Sequence, residues 1–224
     1  MSTDPAARAV VFDLDDTLLD QSSAADAAVI AWASELGLEH VDVAGTWSRI
    51  SSRHYTRYQS REITFEDQRR ERVREFLGRS FTDDEASRTF RGYLDRYESG
   101  WRLFPDAIPA ARRARAAGRP VVILTNGDRT QQLRKLDRFA LSGEIDALVC
   151  SSELPFGKPH ASAFLAATRE LGFSEVDSLM VGDSVANDYQ GAVDFGMRAI
   201  LIDRAGEHLH RAIASVASLD DIAF

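Results

Sequence analysis

Cysteine occurs once in the 224 residues, as Cys150. No internal disulfide can form, so the fold must rest on packing alone, and a reducing cytoplasm is the expected location. Lysine is nearly missing as well. Of 27 basic residues only Lys135 and Lys158 are lysine, and the rest are arginine. In a chain that avoids lysine, a lysine in a distinctive place is unusually informative. There is no excess of positive charge. The net charge is −8 and the sequence pI is about 5.2, which argues against nucleic acid as a partner because phosphate backbones reward a basic surface. No apolar run approaches the roughly 18 residues that a membrane helix needs. The opening "MSTDPAARA" lacks the basic and then apolar order of a secretory signal. Neither nucleic acid nor a membrane is therefore expected as a partner. Low-complexity tracts and short repeats are absent too.

What is present has two textures. The first consists of short apolar runs: "AVVF" (9–12), "PVVILT" (120–125), "IDALVC" (145–150), "SLMVG" (178–182) and "RAILI" (198–202). Continuous apolar runs suit strands buried on both faces of a parallel sheet. Helical patterns separate the later runs, at 107–118, 129–140, 160–172 and 185–196, and Gly118, Gly172 and Gly196 stand where C-caps belong. This alternation predicts an α/β fold, a Rossmann-like doubly wound and mostly parallel sheet. The second texture fills 17–100 with helical patterns at 22–36, roughly 43–61, 64–77 and 82–99, of which the first, third and fourth end at Gly37, Gly78 and Gly100. Thr82 and Glu85 form a capping-box pair. The expected organisation is a core of 1–16 and 101–224 with an all-helical cap domain, 17–100, inserted over the carboxyl edge of the sheet. Open α/β sheets bind ligands at that edge.

The predicted strand ends carry the chemistry. The first gives Asp13, Asp15 and Asp16, and the second Thr125, Asn126 and Gly127. Lys158 follows the third, and Asp183 and Asp188 follow the fourth. In a parallel sheet all these ends lie on one side. Acids, a hydroxyl, a glycine and a lysine at one edge suit phosphoryl transfer to a carboxylate. One carboxylate of the Asp13/Asp15 pair can attack phosphorus, while the other moves protons to the leaving oxygen and from water. Several acids together call for a hard cation, and Mg2+ prefers oxygen ligands. The ligands expected are Asp13, Asp183, the Asp15 carbonyl and Asp188, the last directly or through water. Thr125, Lys158 and nearby backbone N–H groups, including those of Asn126 and Gly127, would hold phosphoryl oxygens. Lysine between carboxylates also offsets their repulsion.

"FDLDDTLLD", "LTNG", Lys158 before Pro159, and "GDSVAND" resemble the four motifs of the haloacid dehalogenase-like (HAD) hydrolase superfamily, in order. The insert resembles the helical cap of one branch. The resemblance implies Mg2+-dependent hydrolysis of a small phosphorylated metabolite, with Asp13 as nucleophile, Asp15 as acid/base, and a cap that opens and closes. It implies a phosphatase more than a 2-haloacid dehalogenase, since those relatives lack the second aspartate of motif one. Family phosphomutases show "DxDG" there, whereas Asp16 replaces the glycine here. A sugar phosphomutase, a dehalogenase and a non-catalytic binding module stand as alternatives. The chain would act as a monomer or homodimer.

Smaller features complete the reading. Arg49, Arg53, Arg57 and Arg61 recur every four residues with no acid between Asp42 and Glu62. Either Arg53 and Arg57, with His54 or Tyr58, read a second anionic group on the substrate, or the stripe pairs with acids elsewhere. "RRERVRE" (69–75) reads as a solvated helix face with charge pairs. Cys150 reads as a core filler, and His160 as the start of a helix. Ser184 and Asn187 are further candidates near the acids.

Overall fold

The computed structural model describes residues 2–3, 7–38, 42–208 and 213–224. The chain divides into two compact units, Met1–Leu19 with Leu103–Phe224, and Asp20–Arg102. The strands are β1 (Ser2–Thr3), β2 (Ala9–Phe12), β3 (Val121–Thr125), β4 (Ala147–Cys150), β5 (Ser178–Gly182), β6 (Arg198–Ile202), β7 (Ser215–Val216) and β8 (Ile222–Ala223). The helices are α1 (Gln21–Glu35), α2 (Val43–Gln59), α3 (Phe65–Leu77), α4 (Asp83–Gly100), α5 (Ala107–Ala116), α6 (Arg129–Arg138), α7 (Ala161–Leu171) and α8 (Gly191–Phe195).

The first unit holds a six-stranded parallel sheet in the order β4-β3-β2-β5-β6-β7. Its three central strands, β2, β3 and β5, are buried at every position. That burial explains why they read as unbroken apolar runs rather than alternating ones. Alternate residues still face opposite layers. Ala9 and Val11 join Val122, Leu124, Phe164 and Met180 in one cluster, while Phe12 meets Phe224 edge to face at 6.1 Å. Counted from β2 as first, the spatial order is 3-2-1-4-5-6. In this doubly wound order the winding reverses between the first and fourth strands, so the ligand crevice lies beyond the carboxyl ends of β2 and β5. β1 and β8 form a separate parallel pair.

Two local differences from the sequence pattern concern the first unit. The stretch 185–196 is a π-helical turn, Val185–Gln190, followed by the short α8. The strands β1, β7 and β8 are only two residues long each, too short to leave a pattern in sequence.

The second unit contains α1 to α4. Trp32, Trp47, Phe76, Phe90 and Tyr93 pack together at its centre, with Trp47 lying 4.6 Å from Tyr93 and 5.1 Å from Phe76, ring to ring. Both capping boxes, Thr64 with Asp67 and Thr82 with Glu85, are complete. Gly37 and Gly78 adopt the left-handed conformation expected after a helix, but Gly100 does not. It is the last residue of α4, which ends at the extended Trp101. The segment 69–75 is also not the solvated face that its charge suggested. Arg69 is buried, with its guanidinium 4.2 Å from the Phe65 ring, and the Arg72 guanidinium lies 4.4 Å from Trp47 and 5.3 Å from Phe90. An aromatic core offers π faces on which a planar guanidinium can stack, and aliphatic cores have none. Only Arg70 and Arg74 behave as surface charges, pairing with Asp67, Glu71 and Asp83.

Candidate active site

Asp13 follows β2 directly, and its N–H donates to the Val181 carbonyl of β5, so the switch point of the sheet fixes its backbone. Asp183 follows β5. The next turn brings in Asp188: Ser184 caps Asn187 N–H, and Asp188 Oδ2 accepts from Ser184 N–H at 3.0 Å. A π turn places the fourth residue of that segment differently from an α turn, and such turns recur at functional positions. Gly182 is required here, because a Cβ there would lie 2.4 Å from the Asp188 carboxyl carbon. Lys158 Nζ donates to Asp13 Oδ1 and to Asp188 Oδ1, both at 2.6 Å. Asp13, Asp188 and Lys158 are all buried, while Asp183 is half-buried with Thr17 Oγ1 donating to it at 3.4 Å.

The remaining predicted residues of the first unit lie around this cluster. Thr125 ends β3, buried, and its Oγ1 accepts from Gly127 N–H at 3.1 Å and from Gln132 Nε2 at 2.8 Å. Both acceptor positions are thereby filled, which leaves the hydroxyl hydrogen to be donated elsewhere. The Gly127 N–H expected to meet phosphate is therefore already engaged. The Asn126 side chain is engaged too: its Nδ2 donates to the Lys158 carbonyl and its Oδ1 accepts from Lys158 N–H, both at 2.8 Å. This side chain holds the main chain that presents Lys158. Asp15 stands apart from the other acids. Lys135 Nζ donates to its Oδ1 at 2.5 Å, and Gln132 Nε2 to its Oδ2 at 2.9 Å. Asp16 adopts a left-handed conformation, φ 63°, which asparagine-like residues tolerate and glycine prefers.

Arg53 and Arg57 belong to the second unit, and acids from outside their own helix partner them. Arg53 pairs with Glu75 at 2.5 Å and Arg57 with Glu62 at 3.4 Å, while Arg49 meets the N-cap Asp42 and Arg61 lies over the Tyr58 ring. His54 is buried with Nε2 2.7 Å from Glu75. The stripe is thus not a row of unpartnered cations.

A family model for haloacid dehalogenase-like hydrolases matches residues 7–196. The chain belongs to the haloacid dehalogenase-like hydrolases. Among curated relatives, the phosphoserine phosphatase of Thermus thermophilus is 30% identical over 174 residues, 77% of this chain and 68% of that protein. The phosphoglycolate phosphatase of Escherichia coli O157:H7 is 28% identical over 205 residues, 86% and 80% of the two chains. The crystal structure of the HAD-hydrolase YfnB from Bacillus subtilis, bound to magnesium, superposes with a TM-score of 0.80 at 20% identity over 96% of each chain. The fold and the family are therefore those that the four motifs resemble.

In this HAD hydrolase the electrostatics of the cluster favour a divalent cation. Burial pushes the Asp13 carboxyl well above the usual carboxylate range; Lys158 opposes this, while Asp188, Asp183 and Asp15 add to it. Burial, then Asp188 and Asp16, push Asp183 up to about 7. Lys158 is held above the usual lysine range: its burial disfavours the charge, but Asp13 and Asp188 more than compensate. One ammonium among three carboxylates leaves a formal −2. One oxygen each from Asp13, Asp183 and Asp188 lies within 4.8 Å of the other two, so the donor set suits a hard divalent ion. Cys150 is buried, and burial pushes its thiol up to about 12, as befits a packing residue. No helix among the described residues is long and apolar enough to cross a membrane.

Proposed function

We propose that this hydrolase, an enzyme of phosphoric monoester hydrolysis, acts on a small phosphorylated metabolite through a covalent aspartyl-phosphate on Asp13, with Mg2+ as cofactor. The observation that carries the reading is the meeting of Asp13, Lys158, Asp183 and Asp188 at the sheet's switch point, with Asp15 held separately. Asp13 and Asp183 would ligate the ion with Asp188 and the Asp15 carbonyl. When bound, Mg2+ neutralises charge so that an anionic nucleophile and an anionic phosphoryl group can meet.

The protein's own groups would work as follows. An Asp13 carboxylate oxygen bonds to phosphorus as the bond from phosphorus to the ester oxygen breaks. Asp15 gives its proton to that departing oxygen. Water then attacks phosphorus, Asp15 takes the water's proton, and the bond from Asp13 to phosphorus breaks, releasing phosphate. Lys158 and the Thr125 hydroxyl hold phosphoryl oxygens throughout. Asp15 favours this reading over a dehalogenase, whose halide leaving group needs no proton. The helical unit, Asp20–Arg102, would serve as the cap that selects the substrate, and a cytoplasmic location fits such a substrate.

A panel of phosphate monoesters, assayed with and without Mg2+ for free phosphate, tests the reading. Release of phosphate only with Mg2+ supports it. Conversion to an isomeric phosphate would indicate a mutase, and silence across the panel would indicate a binding module.

A further inference from the structure

Both lysines of this lysine-poor chain end on motif-one aspartates. Lys158 bonds Asp13, and Lys135 bonds Asp15. Lys135 comes from α6 and is buried to 1% exposure, as is Gln132 one turn before it on the same helix. Residues three apart on a helix share a face, so one surface of α6 delivers both donors to the two oxygens of one carboxylate. The Gln132 amide reaches further: the same Nε2 bonds Asp15 Oδ2 at 2.9 Å and Thr125 Oγ1 at 2.8 Å. It therefore ties the proposed acid/base to the proposed phosphoryl-holding hydroxyl.

Two more observations show that this placement is built rather than incidental. A Cβ at residue 127 would lie 2.0 Å from Gln132 Nε2. The glycine is thus the opening through which the amide passes. In addition, Gln132 Oε1 is buried with no hydrogen-bond partner among the described residues. A buried acceptor without a partner costs free energy, and the amide keeps this orientation nonetheless, with its donor face toward Asp15 and Thr125.

We infer that Lys135 and Gln132 are positioning residues, which fix the Asp15 carboxylate relative to Thr125 so that it meets the leaving oxygen of a phosphoryl group held there. The inference rests on the phosphatase reading above. Lys135 also places a cation beside the carboxylate that forms as Asp15 releases its proton to the leaving oxygen. Neither residue touches the substrate in this scheme, and both act through Asp15.

The test compares two esters that differ in their need for a proton. An aliphatic phosphate monoester leaves as an alkoxide and depends on Asp15, whereas p-nitrophenyl phosphate leaves as a stabilised phenolate and depends on it much less. Lys135→Met should lower kcat on the aliphatic ester about 10- to 100-fold more than on the aryl ester, the range typical of supporting-shell losses. In an Asp15→Asn background the same change should cost no more than about twofold further, since its route of action is gone. Equal losses on both esters, or a full further loss in the Asp15→Asn background, would overturn the inference while leaving the phosphatase reading intact. If Lys135→Met fails to fold, Gln132→Met carries the same test, with the same selective loss expected and equal losses again counting against it. A wild-type enzyme inactive on both esters would overturn the phosphatase reading and this inference together.

Discussion

Lys158 sits 5% exposed between two carboxylates, and removing its charge would strand both of them. Breaking a buried pair by deleting one partner typically costs about 3–5 kcal/mol. Lys158→Met is therefore expected to lower Tm and abolish turnover, and added Mg2+ should recover part of the stability but not the activity. A wild-type Tm in the metal-free variant would contradict this. The raised Asp13 and Asp183 carboxyls give a pH dependence with a definite sign. Their folded-state values exceed the unfolded ones, so the native state holds protons that the unfolded chain has released. Stability contributed in this way falls as pH rises between about 4 and 7. In EDTA, Tm should decline from about pH 4 to about pH 7, and Asp183→Asn should flatten that decline. With Mg2+ present the trend should weaken, because the ion replaces the protons. A thermal-melt series over these conditions decides it. The acids and Lys158 were legible because each follows a strand end in a fixed order. Lys135 and Gln132 were not, since they lie inside a helix whose pattern reads as ordinary. Lysine scarcity was the one signal pointing to Lys135, and it does not say which carboxylate the lysine would meet.

At the scale of elements, β2, β3 and β5 were readable to within a residue because full burial leaves unbroken apolar runs, whereas the half-buried β4 starts two residues later than its run. The helices of the second unit were readable from their caps, notably Thr82 and Glu85. What misled was charge. The segment 69–75 holds four arginines, yet Arg69 and Arg72 both lie over the Phe90 ring of α4, and Arg72 also over Trp47 of α2. Sequence spacing along one helix cannot reveal such partners. Gly100 likewise reads as a helix stop, but a stop needs a left-handed residue only where the chain turns back, and here it continues extended through Trp101. Trp47 is the centre of this aromatic core, 2% exposed and in ring contact with Trp32, Phe76, Phe90 and Tyr93. Trp47→Ala should cost about 3–5 kcal/mol, as large-to-small core changes do. Chemical denaturation followed by circular dichroism measures it, and a loss below about 1 kcal/mol would mean that the core is organised differently.

For the molecule as a whole, the doubly wound order explains why the reactive residues meet. Asp13 and Asp183 lie 170 positions apart in sequence but follow neighbouring parallel strands, β2 and β5, on either side of the switch point. Any chain with this winding opens a crevice there, and this one fills it with three carboxylates and a lysine. The fold supplies the place, and the side chains supply the chemistry. The substrate was not legible, because the arginines that offered a reading of it, Arg53 and Arg57, find the acids Glu75 and Glu62 in the structure. The most direct measurement is phosphate release from the best ester of a monoester panel, run in parallel for the wild type and Asp13→Asn, with Mg2+ and with EDTA. The wild type should release free phosphate only with Mg2+, and Asp13→Asn should be slower by on the order of 10⁴-fold or more, as for loss of a covalent nucleophile. An Asp13→Asn enzyme that turns over at the wild-type rate, or full wild-type activity in EDTA, would contradict it.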